Sequence, residues 1–295
     1  MVGANFNYQF IDWGHDTEKD STEEFDHKGT LSATVFTPNI TIGLTDWWNI
    51  TFSQVIGKRV MTWGVKDSIT IHHRGEGSDS DFDNAVGGLL GDSRIMLRFL
   101  ALNAGEGPGL RLFLGGGIGI PSKNTLTSSP FLPDVEHRHF SMSEGIYKAI
   151  FETQFFVKRT KNPVFAGGTF SIEKPLAESE YGYTGSRIVD FSLTAYSKKI
   201  KLINGSIGGN IMFRNTSEAD WEGKKSPNSK STIIIPGVGA LWSLGFATLS
   251  LNVQKPIFNY GATDGDENSN ARTDTWQISI GMRRVLNYYI QWLYW

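Results

Sequence analysis

The most regularly spaced charges in the chain are basic residues in the segment 92–102. Arg94 and Arg98 alternate there with the apolar residues Ile95 and Leu97. Side chains two or four positions apart lie on the same face of an extended strand. The segment is therefore predicted to be a strand with one basic and one apolar face. Cations grouped on one face either attract anions or pair with carboxylates.

Histidine pairs are the first candidates for metal chemistry. His72 and His73 are adjacent, and His137 and His139 are two positions apart, so each pair could hold a divalent ion at a surface. The chain has no Cys and the pairs lack a helical spacing, so adsorption or no binding is expected. All the histidines fall in predicted loops, at positions 15, 27, 72, 73, 137 and 139.

An acidic run near the end of the chain is the second candidate. Asp264, Asp266 and Asn268 have the spacing of a calcium-binding loop. Ser269 replaces the Gly that such a loop requires, and Thr275 stands where its bidentate Glu should be. The run is therefore interpreted as a solvated loop, and we expect neither a metal nor any other cofactor.

The elements that would position these residues follow from an alternating pattern. Between polar and Gly-rich stretches, segments of about ten residues alternate apolar and polar side chains. The first of these segments places Ala4, Phe6 and Tyr8 on one face and Asn5 and Asn7 on the other. Such faces suit a wall between lipid and water. The pattern recurs about twelve times, with long and short connections in turn, and predicts a transmembrane β-barrel.

The predicted fold is all-β, a closed antiparallel barrel of about twelve strands that forms one domain over residues 1–295, with short periplasmic turns and long extracellular loops. A change of phase at Pro38 predicts a β-bulge, and Ile69 and Ile71 predict a strand extension. Either the last strand ends near Arg284 and the tail from Tyr288 to Trp295 forms an extra element, or the last strand is misplaced. The strands are expected at about 2–13, 30–43, 48–61, 92–102, 109–121, 145–158, 163–174, 187–198, 201–214, 231–242, 246–257 and from Thr273.

Composition narrows the class of protein. The 295 residues carry a net charge of -2 and no Cys, which argues against nucleic-acid binding and excludes disulfides. No apolar run reaches the length of about 18 residues that a transmembrane helix needs. The strand pattern begins directly after Met1, so we interpret the chain as mature or as starting at an engineered Met.

A soluble β-sandwich or β-propeller is the alternative fold. A propeller would show a repeat of about 40 to 50 residues, which is not found, and a sandwich rarely alternates long and short loops. Trp and Tyr also cluster at strand ends, as they do at membrane–water interfaces. This clustering favours a barrel in the bacterial outer membrane, and its members are Trp47, Trp48, Trp242, Tyr288, Tyr289, Trp292, Tyr294 and Trp295.

In such a barrel the charged residues should face the lumen, because a charge on the lipid face costs about 2 to 4 kcal/mol at mid-membrane. One interpretation is a cationic wall that favours anions; the other is a structural network of ion pairs. Two carboxylates do not neutralise four cations, so a residual positive field and weak anion selectivity are predicted, with a shift toward cations when Arg94 and Arg98 are both replaced by Ala. The candidate pore-lining residues are Arg94, Arg98, Arg111, Lys148, Glu152 and Asp190.

Several turn and strand-start sequences resemble a known family. Ile42–Asp46, Gly88–Asp92, Pro108–Leu110 and Gly119–Ser122 match, in order and spacing, motifs of putative outer-membrane proteins associated with the meta pathway of phenol degradation. The resemblance covers roughly residues 40–122 and elsewhere extends only to the hairpin rhythm. It implies a barrel that passes small, often apolar compounds, and it identifies no catalytic residue.

An enzymatic alternative rests on one short motif. Outer-membrane phospholipases use about twelve strands and a His-x-Ser pair, and His139 and Ser141 have that spacing. The Asn-Gly-Arg sequence that follows the Ser in that family is absent, since Met142, Ser143 and Glu144 stand there. We therefore expect no enzyme.

The function expected from the sequence is a passive outer-membrane channel, in contact with lipid and a small-molecule solute. The competing class is a structural or partner-binding barrel that is plugged by side chains and binds another protein or a second copy. The number of strands does not distinguish these two classes. Barrels of eight strands are filled by side chains and barrels of sixteen have an open channel, and twelve strands lie between them.

Overall fold

The structure is a computed structural model that describes residues 1–15, 27–65, 68–71, 89–105, 107–122, 142–180, 182–225, 229–261 and 272–288. All regular secondary structure in these residues is β-strand. Among them, no helix is long and apolar enough to cross a membrane.

Twelve strands form the wall of a closed antiparallel barrel. The wall strands are β1 (Val2–His15), β2 (His27–Gly43), β3 (Trp48–Val65), β5 (Leu90–Asn103), β6 (Gly109–Ile120), β7 (Lys148–Lys158), β8 (Phe165–Pro175), β10 (Ile188–Tyr196), β11 (Ser206–Thr216), β14 (Ser231–Ser243), β15 (Thr248–Gln254) and β17 (Arg272–Arg284). A short strand, β4 (Ser68–Ile71), pairs antiparallel with the end of β3, so a strand lies where Ile69 and Ile71 predicted one. Another short strand, β16 (Ile257–Gly261), continues β15 along β14.

The barrel closes because its first and last strands pair. Each wall strand pairs with the next one in the chain, and β1 pairs with β17 from Val2–Arg284 to Gly14–Arg272. The connections at the end that holds Met1 are the short ones, which confirms the predicted alternation of loop lengths. Short connections are periplasmic in barrels of this kind. They comprise residues 44–47, 104–108, 159–164, 197–205 and 244–247.

An apolar belt covers the outer face of the wall. Phe6 pairs with Phe36 and Ile280, and Phe191 pairs with Phe213, and all of these side chains are exposed. Exposed apolar surface costs about 25 cal/mol per Å² in water but nothing comparable in hydrocarbon. The outer face therefore lies in lipid, and the polar side chains that alternate with the belt face the lumen.

A small extracellular cap at the long-loop end is formed by residues 142–147, 176–180, 182–187 and 217–225. Its three-stranded sheet consists of β9 (Tyr183–Thr184), β12 (Asp220–Trp221) and β13 (Lys224–Lys225). Ile146, Tyr183, Ala219 and Trp221 form its buried core. These loops thus have apolar packing of their own above the membrane.

The prediction of a β-bulge at Pro38 is wrong. The β1–β2 register runs without a shift from Val2–Ile40 to His15–His27. Leu31 and Val35 consequently face inward, whereas Ile40 faces lipid. The phase of the apolar residues changes because the long strands rise beyond the lipid belt, where apolar side chains are covered only inside the barrel. Register shifts occur instead at Gln54/Ile56, Leu100/Leu102 and Thr232/Ile233.

One other boundary differs clearly from expectation, whereas the last strand ends at Arg284, as one of the two alternatives for the tail predicted. The strand predicted from position 201 begins at Ser206, because residues 200–205 form a turn closed by the Ile200 N–H donating to the Gly205 carbonyl at 2.7 Å. The last wall strand ends at Arg284, and residues 285–288 carry no regular structure. The rest of the tail, 289–295, lies outside the described residues.

Candidate functional site: the charged lumen

One register row across six strands carries four of the lumen charges. Strand pairing places six inward positions side by side across β5, β6, β7, β8, β10 and β11. The charges along this row run positive, negative, negative and positive. In order, the positions are Arg98, Gly115, Glu152, Ser171, Asp190 and Arg214.

Arg98 and Glu152 form an ion pair across β6. Arg98 Nε lies 2.6 Å from Glu152 Oε1, and Arg98 Nη1 donates to Thr51 Oγ1 at 2.8 Å. Gly115 lies between them in register, and a Cβ there would be 3.2 Å from Arg98 Cγ. The missing side chain of Gly115 therefore leaves room for the pair to lie flat on the wall.

Arg94 reaches farther, to Glu173 on β8. Its two terminal nitrogens lie 2.7 and 3.1 Å from the two carboxylate oxygens of Glu173. Gly119 is the register partner of both Arg94 and Lys148, so the long arginine side chain meets no side chain on β6. The contact links wall strands that are not neighbours.

Lys148 pairs with a residue of the cap. Its Nζ lies 2.7 Å from Glu144 Oε2, and Glu144 precedes β7 in the cap segment 142–147. Lys148 thus ties the cap to the wall.

Arg214 and Asp190 are register partners on β11 and β10. Arg214 Nε and Nη2 lie 2.7 and 2.8 Å from the two carboxylate oxygens of Asp190. This two-bond arrangement fixes both side chains against the wall.

The pairs differ in what they present to the lumen. Arg98 and Glu152 are both largely covered, with side chains 16% and 15% exposed. The Arg94 side chain is 45% exposed and that of Glu173 8%; Arg214 is 40% exposed and Asp190 17%. In these two pairs the carboxylate lies beneath, and the guanidinium faces water.

Strand alternation places all six sequence-predicted site residues on the inner face, since Arg111 is the register partner of Phe156, but Arg111 lies apart from the other five. Arg111 lies at the short-turn end, where its guanidinium donates to the carbonyls of Gly105 and Gly107. Sequence reasoning missed Glu144, Glu173 and Arg214. Alternation on their strands places Glu173 and Arg214 inward, but Glu144 lies in a loop, where no periodicity marks it.

The opposite wall carries amides and hydroxyls. Gln277 Nε2 donates to Asn7 Oδ1 at 3.2 Å, and Gln254 Nε2 donates to Asn210 Oδ1 at 2.8 Å. Asn210 in turn donates to Asn252 at 3.3 Å. The lumen thus has one charged side and one neutral polar side.

A row of inward aromatic rings lies between the charged row and the periplasmic end. Phe156 is 6.2 Å from Phe113 and 5.8 Å from Phe165 between ring centroids, and Phe165 is 6.5 Å from Tyr196. The Tyr196 hydroxyl lies 3.3 Å from Asn252 Oδ1. Phe165 and Tyr196 of this row line a cavity of about 400 Å³ together with residues that include Gly3, Asn5, Asn39 and Ser250.

The remaining chemical candidates lie mostly outside the described part of the chain. This holds for His72, His73, His137 and His139, for the His139–Ser141 motif and for the acidic run 264–269. Thr275 is a buried residue of β17. Within the described ranges, no group of three or more His, Asp or Glu side chains is arranged to hold a metal ion.

Comparison with known proteins reveals a likeness in structure. No family model and no curated protein matches the chain, so the resemblance to the phenol-pathway family is not confirmed. A crystal structure of an outer-membrane channel from Pseudomonas putida F1 matches with a TM-score of 0.59 over 97% of this chain and 95% of that chain, at 11% identity. The chain folds as an outer-membrane β-barrel.

A second match has a lower score. The transport unit of the autotransporter AIDA-I from Escherichia coli has a TM-score of 0.48 and 8% identity, and the match covers 97% of this chain and 90% of that one. Together with the apolar belt, the barrel fold places the protein in the bacterial outer membrane.

Proposed function

We propose that the protein is a passive channel that lets small molecules cross the outer membrane. The observation that carries the proposal is the accessibility of the lumen charges, since the side chains of Arg94 and Arg214 are 45% and 40% exposed inside a closed wall. Charged groups inside a barrel keep such exposure only where water reaches them. A plugged barrel would instead bury its inner charges in mutual contacts, as Arg98 and Glu152 do.

The internal cavity supports the same proposal. It lies between the aromatic row and the amide wall and reaches Met1 and Arg283 at the periplasmic end. Apart from Met1 and Arg283, its lining combines uncharged polar groups such as Asn5 and Ser250 with the rings of Phe165 and Tyr196, so it offers a small solute both apolar and hydrogen-bonding contacts. The proposal needs no cofactor and no catalytic step.

Liposome swelling tests this function. Vesicles that contain the folded barrel should swell in isosmotic solutions of small neutral solutes, at rates that fall with solute size. Ser250→Trp would fill the cavity and should slow swelling several-fold. Leu251→Trp, on the lipid face of the same strand, is the matched control and should leave the rate unchanged. Swelling no faster than in protein-free vesicles would contradict the proposal.

A further inference from the structure

We propose that Arg94 and Arg214 together form a binding site for small carboxylate solutes in the lumen. This inference deepens the proposed channel function by naming a solute class. It assigns distinct roles to basic residues that the sequence pattern treats alike, and it includes Arg214, which that pattern did not single out.

The two arginines approach one pair of carboxylates from opposite sides. Asp190 is the register partner of Ser171, and Glu173 lies two residues farther along β8. The two acidic residues are therefore diagonal neighbours, about 7–8 Å apart on adjacent strands. Arg94 reaches Glu173 from β5, and Arg214 reaches Asp190 from β11. Glu173 also interacts electrostatically with Arg214, so the four side chains form one cluster.

The charges of the cluster sum to zero, but its positive members are the more exposed ones. The side chains of Glu173 and Asp190 are 8% and 17% exposed, whereas those of Arg94 and Arg214 are 45% and 40% exposed. A solute in the lumen therefore meets positive groups first. A cation would find the carboxylates covered, so the arrangement favours anions.

Arginine chemistry narrows the class of anion. A guanidinium carries five N–H donors in a planar fork, and each two-bond ion pair here engages only two of its nitrogens. The fork matches two oxygens of a carboxylate or of a phosphate. Because the charges of the cluster sum to zero, it suits a singly charged carboxylate better than a doubly charged phosphate. Glu173 and Asp190 act as positioning residues, because they hold the two forks in fixed orientations toward the lumen.

The other basic residues predicted from the sequence to line the pore do not share this role. Arg98 is covered by its contacts with Glu152 and Thr51. Lys148 is 10% exposed and paired with Glu144. Arg111 bonds two backbone carbonyls at the periplasmic turn. Arg94 and Arg214 thus combine exposure to the lumen with a fixed carboxylate partner on the wall.

Equilibrium dialysis against the folded full-length barrel in detergent tests the site. The probe is benzoate, and benzamide, which has nearly the same shape but no charge, is the matched ligand control. The double variant Arg94→Gln/Arg214→Gln should bind benzoate at least tenfold more weakly than the wild type does. Its affinity for benzamide should be unchanged. Arg111→Gln is the protein control and should bind benzoate like the wild type. Equal benzoate binding by the wild type and the double variant would overturn the proposal.

A second double variant and a displacement assay complete the test. If the double variant does not fold, Arg94→Lys/Arg214→Lys retains the charge but not the fork and should still weaken benzoate binding several-fold; unchanged binding would overturn the assignment. Acetate should displace benzoate at concentrations at which inorganic phosphate does not, and equal displacement by phosphate would contradict a carboxylate site. A barrel that binds benzoate through the arginines but passes no solute would overturn the channel function alone.

Discussion

Arg98 and Glu152 form an ion pair across a strand that lies between them, with Arg98 Nε 2.6 Å from Glu152 Oε1 above Gly115. Strand β6 presents Gly115, Gly117 and Gly119 to the lumen. Long side chains from β5 and β7 can therefore lie over it and meet. The charged lumen depends as much on these missing side chains as on the charges.

The first prediction concerns Gly115. Gly115→Val should lower the free energy of unfolding by about 1–3 kcal/mol, because the new side chain crowds the Arg98 side chain and its ion pair. A Cβ at the neighbouring Gly116 would meet no atom within 4 Å, so Gly116→Val is the matched control and should cost little. Urea unfolding in lipid vesicles measures both variants. Equal losses would show that glycine matters here for the backbone and not for the room it leaves.

A second prediction tests the pair itself. Arg98→Gln or Glu152→Gln alone should cost about 3–5 kcal/mol, because each leaves a covered charge without its partner. The double variant should cost much less than the sum of the two. The same unfolding assay gives the coupling energy of this double-mutant cycle. Additive losses would mean that the two charges do not stabilise each other.

The third prediction tests which face of the wall meets lipid. Ile280→Arg should destabilise the barrel in vesicles by about 2–4 kcal/mol, because the charge would lie in hydrocarbon. Ser279 on the same strand faces the lumen beside Asn7. Ser279→Arg should therefore reduce the stability of the barrel less than Ile280→Arg does. A greater loss for Ser279→Arg would reverse the assignment of the two faces.

A fourth prediction concerns the extracellular cap. Burial raises the pKa of the Tyr183 phenol well above its usual range, and the charges of Glu144 and Asp220 add to the effect. The folded cap thus retains the phenol proton more strongly than the unfolded chain. Its stability is complete below the ordinary tyrosine pKa of about 10 and should fall as the pH rises beyond it.

The Trp221 ring lies 4.8 Å from the Tyr183 ring and reports this transition. Tryptophan fluorescence of the wild type should change above about pH 10, while far-ultraviolet circular dichroism of the barrel stays constant. Tyr183→Phe removes the titrating group and should abolish the change. The same fluorescence change in this variant would assign it to another group.

The alternation of apolar and polar residues predicted the strands of the barrel wall well. Successive residues of a strand, such as Phe6 and Asn7 of β1, face lipid and water in turn. The alternation failed at Pro38, because Leu31 and Val35 face inward and Ile40 faces lipid on one regular strand without a shift of register. Sequence spacing placed Arg94 and Arg98 on one face but could not show their partners. Arg94 on β5 pairs with Glu173 on β8, across β6 and β7. That contact depends on the register of the strands and on the length of the arginine side chain. Glu144 lies in a loop without periodicity.

The most direct test of the channel is single-channel recording in a planar lipid bilayer. An open lumen predicts discrete current steps that grow with salt concentration, are smaller in Ser250→Trp and are unchanged in Leu251→Trp. In a salt gradient the reversal potential should indicate weak anion preference and shift toward cations in Arg94→Gln/Arg214→Gln. No steps above those of a protein-free bilayer, across several salts, would contradict the proposal that this barrel is open.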